Sequence, residues 1–308
     1  MHLLRDLAKT DLYRGGYVTI GNFDGVHRGH QAMLNALISR ARTDGVPAVA
    51  LTFDPHPIAL LRPEATPPAL TTIEYRAELL GRYGVDVTLV LPTDRKLLAL
   101  TAKEFFDTIV RDQMRARGLV EGPNFFFGRN RSGNITVLRD LCGSHGLSFD
   151  VVPPLTVDEQ LVCSSVIRSL LEAGDMAHAV RLLGHSYRLT GQVERGAERG
   201  RTLGFPTANL GAVQTLVPAD GVYAAWTMID DLRCPAAVNI GPNPTFGESA
   251  KKIEVHVLDF TGDLYGRALD VDFLDRIRDV RRFASADELR EQLQQDIAMV
   301  RAKAAATV

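Results

Sequence analysis

The sequence predicts two domains of different class: a doubly wound α/β domain on a parallel sheet over residues 1–183, and an antiparallel β-barrel with a carboxyl-terminal helix over residues 184–308. Three observations carry that reading. A chain of 308 residues is longer than one typical domain. Its first half alternates β-branched apolar runs with segments of helical period, which is the pattern of a parallel sheet. Its second half strings short strand-like runs between Gly and Pro turns, which suits a closed antiparallel barrel.

Tyr17 to Ile20 is a β-branched strand, and the segment from His30 to Arg42 carries Met33, Leu34, Leu37, Ile38 and Ala41 on one helical face. Pro47 to Phe53 reads as a buried strand and completes a βαβ unit with a right-handed crossover. Helix is expected from Ile73 to Tyr83, strand from Val85 to Leu91, and a long helix from Thr101 to Arg117, where Thr101 and Glu104 form a capping-box pattern. Val151 and Val152 suggest a further short strand. The segment from Cys163 to Arg168 then opens onto a helix through Leu183, and Gly184 and His185 mark the boundary.

Beyond it, strands are expected at Tyr187 to Glu194, Val222 to Ile229, Cys234 to Ile240, Lys252 to Leu258 and Ala268 to Leu274. Ser285 to Ala302 closes the chain as a helix, with Ser285 and Glu288 as its capping box.

A formal net charge of −2 with mixed signs gives no nucleic-acid footprint, so any polyanion must be held locally. Cys142, Cys163 and Cys234 lack metal-ligand spacing, and an odd number argues against a disulfide framework. A reduced cytoplasm is expected. Charges interrupt the first apolar residues, and no apolar run approaches the roughly 20 residues that span a bilayer, so neither export nor membrane insertion is expected. Oligomeric state stays open.

The most informative run is G-N-F-D-G-V-H-R-G-H, Gly21 to His30. A strand entering a glycine turn and then a helix aims unpaired N–H groups and the positive end of the helix dipole at an anion. Gly21, Gly25 and Gly29 allow close backbone approach, and His27 and His30 can face the same phosphate oxygens. After the second strand, T-F-D-P-H-P can present Phe53, Asp54 and His56 to a substrate. The segment from Gly122 to Asn134 joins phenylalanines to arginines, which suits a planar ring with a phosphate tail. At Cys163 to Arg168, C-S-S-V-I-R places hydroxyls at a helix start and an arginine a turn later, a phosphate-gathering arrangement.

In the second half, G-R-T-L-G-F-P-T-A-N from Gly200 to Asn209 can fold as a glycine lid over an ATP phosphate tail. The hydroxyl of Thr207 and the amide oxygen of Asn209 suit Mg²⁺. No G-K-[ST] occurs there, so it is not a Walker loop. Within Lys252 to Leu258, Val255 and Val257 alternate with Glu254 and His256; valines facing the core leave Glu254 directed to a cleft, where it can act as a base.

The Gly21–His30 run is similar to the H-x-G-H signature of nucleotidylyltransferases, and its full form resembles the adenylyltransferase half of bacterial bifunctional riboflavin kinase/FAD synthetases. P-T-A-N, E-V-H-V-L-D-F and D-L-Y-G resemble the riboflavin kinase domain of the same family. The resemblance implies that Gly21, Phe23, Asp24, Gly25, Gly29, Ser164 and Ser165 bind ATP, with His27, His30 and Arg168 acting in adenylyl transfer. It implies flavin contacts at Phe53, Asn124, Phe127 and Arg278. In the barrel it implies Mg²⁺-ATP at Gly204, Thr207 and Asn209, and Glu254 as the base on the ribityl 5′-hydroxyl. Riboflavin, FMN, FAD and ATP are the implied ligands. The chain departs from the family's pattern at Asn124, often Asp in relatives, at Cys163, where the family has Ser, and at Val280, often acidic. Two alternatives stay open: a riboflavin kinase whose first domain only binds nucleotide or flavin, and a nucleotidylyltransferase for another phosphorylated acceptor.

Overall fold

The computed structural model describes residues 1–196, 204–242 and 250–306. Its contacts divide the chain into two compact units, Met1–Cys163 and Ser164–Val308.

The first unit is built on strands β1 (His2–Leu4), β2 (Tyr17–Ile20), β3 (Ala48–Asp54), β4 (Val87–Pro92), β5 (Gly118–Glu121) and β6 (Ser148–Val151). They form one sheet in the order β1-β4-β3-β2-β5-β6, with every neighbouring pair parallel. Helices α1 (Arg28–Asp44), α2 (Pro57–Leu61), α3 (Ile73–Arg82), α4 (Arg95–Ala99), α5 (Ala102–Phe105) and α6 (Ile135–Ser144) connect them. Alternate strand residues feed opposite core layers. Val18, Ile20, Val49 and Leu51 pack with Phe105, Phe106 and Leu138, whereas Tyr17, Ala48 and Ala50 pack with Leu34, Leu37 and Leu80. Covering both faces is why these strands read as continuous apolar runs. A small hairpin, β7 (Thr156–Val157) with β8 (Gln160–Leu161), follows.

The helix expected from Thr101 to Arg117 is α-helical only through Phe105. It widens into a π-helix from Phe106 to Gln113 and ends before Arg115, which sits at φ 48°. β5 was hidden because it opens on Gly118 and closes on a glutamate. Gly118 is required there, since a Cβ would lie 2.0 Å from the Ser148 hydroxyl.

The second unit opens with α7 (Ser164–Ala173) and α8 (Met176–Leu183). The single helix expected here is two, because Gly174 turns left-handed at φ 78° and the Asp175 carboxylate accepts the His178 N–H to cap α8. Strands β9 (Tyr187–Glu194), β10 (Ala208–Gly211), β11 (Gly221–Ile229), β12 (Leu232–Gly241), β13 (Lys252–Val257) and β14 (Ala268–Arg278) close into a barrel in the order β10-β13-β12-β11-β14-β9. The last helix, α9 (Ala286–Ala305), is capped by Ser285 and packs on β11, β12 and β14. The contact division falls after Cys163, ahead of the expected junction at Gly184, because α8 packs on α7, β14 and β9 with Met176, Ala179, Leu182 and Leu183 buried. Among the described residues no helix is long and apolar enough to cross a membrane.

Candidate active sites

In the first unit the chain progresses from β2 to one side through β3 and β4, then returns to the other side at β5. The crevice at the carboxyl ends of β2 and β5 is therefore the topological switch point, where ligands of such sheets bind. The Gly21–His27 turn lies there. Phe23 and Val26 hold positive φ (47° and 38°), and Gly25 sits at 84°. His27 stands just outside α1 and caps it, its Nδ1 accepting the His30 backbone N–H at 3.3 Å. The helix thus starts at Arg28, earlier than its apolar period suggested.

The His27 and His30 rings stack with centroids 3.6 Å apart and planes 16° from parallel, and Phe23 meets His30 edge-on at 5.3 Å. A Cβ on Gly29 would lie 3.2 Å from His27 Cε1 and from the Val162 carbonyl, so this glycine lets ring and backbone close in. Burial, reinforced by His27 and then Arg76, holds His30 well below the ordinary histidine range, leaving a neutral imidazole at pH 7. Among the described residues, its buried Nδ1 and the buried Oδ1 of Asn22 have no hydrogen-bond partner in the protein.

Asp24, expected beside ATP, is instead buried. Its carboxylate accepts the Leu70 N–H at 3.0 Å, the Thr71 N–H at 3.1 Å and a bond from Arg76 at 3.1 Å. It therefore pins the turn to residues 70–76. Arg76, buried on α3, is a partner that the sequence reading missed. Phe23 is likewise part of the core.

Phe53 is half-buried at the end of β3, and His56 caps α2 through Nδ1. Asn124 is exposed in the turn after β5. Phe127, expected at the flavin, is buried; it stacks on Phe125 at 5.4 Å and forms a β-bridge with Gly133. The exposed ring of the trio is Phe126, which carries the Arg131 guanidinium 4.4 Å above its centroid. Three consecutive phenylalanines give no periodicity from which to choose the outward one. Ser164, Ser165 and Arg168 lie on the first turns of α7, with Ser165 exposed and the others half-buried.

In the barrel, register gathers the second set. Asn209 pairs with Glu254 across β10 and β13, and Glu254 pairs with Asn239 across β13 and β12. Directly opposed residues share a face, and the Asn239 amide donates to Glu254 Oε2 at 3.4 Å. A Cβ on Gly196 would fall 2.1 Å from the Asn209 amide nitrogen, so that glycine cradles the side chain. Val255 and Val257 are buried as expected, but they also wall a cavity of about 520 Å³ with Thr207, Phe260, Asp263 and Tyr265. By alternation Glu254 stands on the other face of β13 from these valines. Residues 200–203 of the glycine run lie outside the described residues; Gly204 is a left-handed turn at φ 88°.

Arg278, expected at the flavin, spends its donors elsewhere. Nε and one terminal nitrogen hold Asp296 of α9 at 2.9 and 2.7 Å, and the other terminal nitrogen donates to the Asp279 carbonyl. It fastens β14 to α9. Among the described residues no group of three or more His, Cys, Asp or Glu is arranged to hold a metal.

Comparison with known proteins gives the two units their relatives. The FAD synthetase family profile matches residues 9–166 and the riboflavin kinase profile residues 183–304. The bifunctional riboflavin kinase/FMN adenylyltransferase of Pseudomonas fluorescens is 40% identical over 95% of this chain and 94% of its own. That of Escherichia coli (strain K12) is 37% identical over 92% and 90%. A solved structure from Streptococcus pneumoniae, described as a macrolide-efflux protein, is 32% identical, with a TM-score of 0.85 over 97% of this chain and 98% of that one. Matches to both profiles, together with full-length relatives that carry both activities in their names, show that the chain belongs to the bifunctional riboflavin kinase/FMN adenylyltransferase family.

Proposed function

We propose that the chain converts riboflavin to FAD in two steps, phosphorylation to FMN by residues of the barrel and adenylylation of FMN by residues of the amino-terminal sheet. The observation that supports two sites is the distribution of the chemistry. The stacked His27–His30 pair lies in Met1–Cys163, and Asn209 and Glu254 adjoin on neighbouring strands of Ser164–Val308. Functionally, the assignment of 1–183 to adenylyl transfer and 184–308 to the kinase adds Cys163–Arg168 to the first activity.

In the kinase step, Glu254 takes the proton of the ribityl 5′-hydroxyl as that oxygen attacks the γ-phosphate, and Asn239 holds the carboxylate in place. Thr207 and Asn209, hard oxygen donors with Asn209 cradled on Gly196, fit Mg²⁺, which would offset phosphate charge. Gly204 supplies the turn that leads into them.

In the second step, the FMN phosphate attacks the α-phosphate of ATP in line and pyrophosphate leaves. Gly21, Gly25 and Gly29 shape the turn that admits the phosphates. His27 and His30 donate hydrogen bonds where charge builds, His30 as a neutral ring. Ser164, Ser165 and Arg168 carry hydroxyl and guanidinium donors of the kind that hold phosphates, which is why we assign them to adenylyl transfer. Phe53 and Asn124 contact the flavin, and Phe127 supports that surface from the core. No disulfide joins Cys142, Cys163 or Cys234, and a reducing cytoplasm is the setting we propose.

A time course of riboflavin, FMN and FAD on purified protein with ATP and Mg²⁺ tests this. Glu254→Ala is expected to cut FMN formation by about 10²-fold or more while FMN is still adenylylated. His30→Ala is expected to cut FAD formation by a similar factor while FMN accumulates. Loss of both activities in either variant counts against two sites.

A further inference from the structure

One buried acid in the first unit has no place in either reaction. Glu121 ends β5 at the switch point and is only 1% exposed. Its Oε1 accepts the backbone N–H of Ile20, the last residue of β2, at 2.7 Å. The β2–β5 pairing runs only through Tyr17↔Gly118 and Val18↔Leu119, so at Ile20 a side chain replaces the main-chain acceptor. Such a replacement ends the ladder and parts the two strands where the crevice opens, yet leaves no buried N–H orphaned.

Glu121 also joins two segments. The main chain beyond Ile20 is the Gly21–His27 turn, and the main chain beyond Glu121 is the Gly122–Asn134 segment. The Glu121 carbonyl accepts the Val152 N–H at 2.8 Å, which fixes β5 against the chain leaving β6. The carboxyl itself lies out of water. Burial drives it well above the usual carboxylate range, and among the described residues no cation pairs with it. Cys142 of α6 is a titratable neighbour from the helix layer, and burial pushes its thiol up to about 12. An acid placed here without a counter-charge is costly as packing material, and among the described residues its carboxyl takes its hydrogen bond from the end of β2.

We propose that Glu121 is a positioning residue for adenylyl transfer: by accepting the Ile20 N–H it sets the exit of β2, and with it the turn that presents His27 and His30 beside the flavin segment. This rests on the assignment of adenylyl transfer to the first unit. The test uses the full chain, supplied with FMN, ATP and Mg²⁺ for one activity and with riboflavin, ATP and Mg²⁺ for the other. Glu121→Gln keeps the length of the side chain and an acceptor oxygen and is expected to retain kcat for FAD formation within about threefold. Glu121→Leu removes the acceptor, and Glu121→Asp withdraws it by one methylene. Each is expected to lower that kcat by about tenfold or more, as small displacements of reacting groups do, with riboflavin phosphorylation unchanged in the same molecule. If the Glu121→Leu variant fails to fold, the Asp and Gln variants still decide the matter. Wild-type kcat in the Leu or Asp variant, or a loss in the Gln variant as large as theirs, overturns the proposal. Failure of the wild-type chain to form FAD from FMN would instead remove the assignment beneath it.

Discussion

Around the Gly21–His27 turn, burial decides what each polar side chain can do. Asp24 lies on the ligand-binding motif by sequence, but its carboxylate is committed to Leu70, Thr71 and Arg76 inside the protein. The Asp24–Arg76 pair is 7% and 8% exposed, so removing one partner leaves an uncompensated buried charge. Asp24→Ala is therefore expected to destabilise the first unit by about 3–5 kcal/mol, as read by urea or thermal unfolding. A variant of wild-type stability that had lost ATP affinity alone would return Asp24 to the nucleotide. His30 behaves differently. The two lie in one short run, yet the acid is fully satisfied by protein, whereas the imidazole keeps a buried nitrogen without a protein partner. Sequence names both residues and distinguishes neither, because the partners of Asp24 come from the loop at Leu70 and Thr71 and from α3, far along the chain.

At the scale of elements, α1 shows how local pattern and tertiary structure divide the information. Its apolar face was legible from Leu34, Leu37 and Ala41, all buried. Its start was not, since an imidazole does the capping that Ser, Thr, Asp or Asn usually performs. Gly29 lies in that first turn, and a Cβ there meets His27 Cε1, His27 Nδ1 and the Val162 carbonyl at 3.2 Å each. Gly29→Ala is expected to leave the fold intact, shift the His27 ring by a few tenths of an ångström, and lower FAD formation by about tenfold with riboflavin phosphorylation unaffected. Steady-state rates of the two half-reactions check this; equal loss in both would point to general damage. The strands show the same division. β2, β3 and β4 announce themselves by β-branched runs, while β5 ends on a buried glutamate that reads as a break until the sheet closes around it. In the barrel, strand periodicity placed Glu254 on its own face, but only register across β10, β13 and β12 brought Asn209 and Asn239 beside it.

For the whole molecule, the question is where one folding unit ends and the next begins. The family profiles match 9–166 and 183–304 and leave most of α7 and α8 between them, while contacts assign both helices to the barrel unit. Burial gives the physical reason for the latter. Met176, Ala179, Leu182 and Leu183 are each 0% exposed, and α8 packs on β14 and β9 as well as on α7. Fully burying a Leu or Met side chain contributes about 1.5–3 kcal/mol, so a barrel stripped of α8 forgoes several such contributions and exposes the strands beneath. The groups proposed for the kinase step, Asn209, Asn239 and Glu254, all lie on strands of the barrel itself, however, and that proposal gives α7 and α8 no chemical role. Two shortened chains separate these effects. Ser164–Val308 and Gly184–Val308 are both expected to phosphorylate riboflavin, but the shorter is expected to unfold at least about 5 °C lower in a thermal scan at matched concentration. Equal midpoints would show that the barrel does not draw its stability from α7 and α8, and that the junction at Gly184 is a folding boundary.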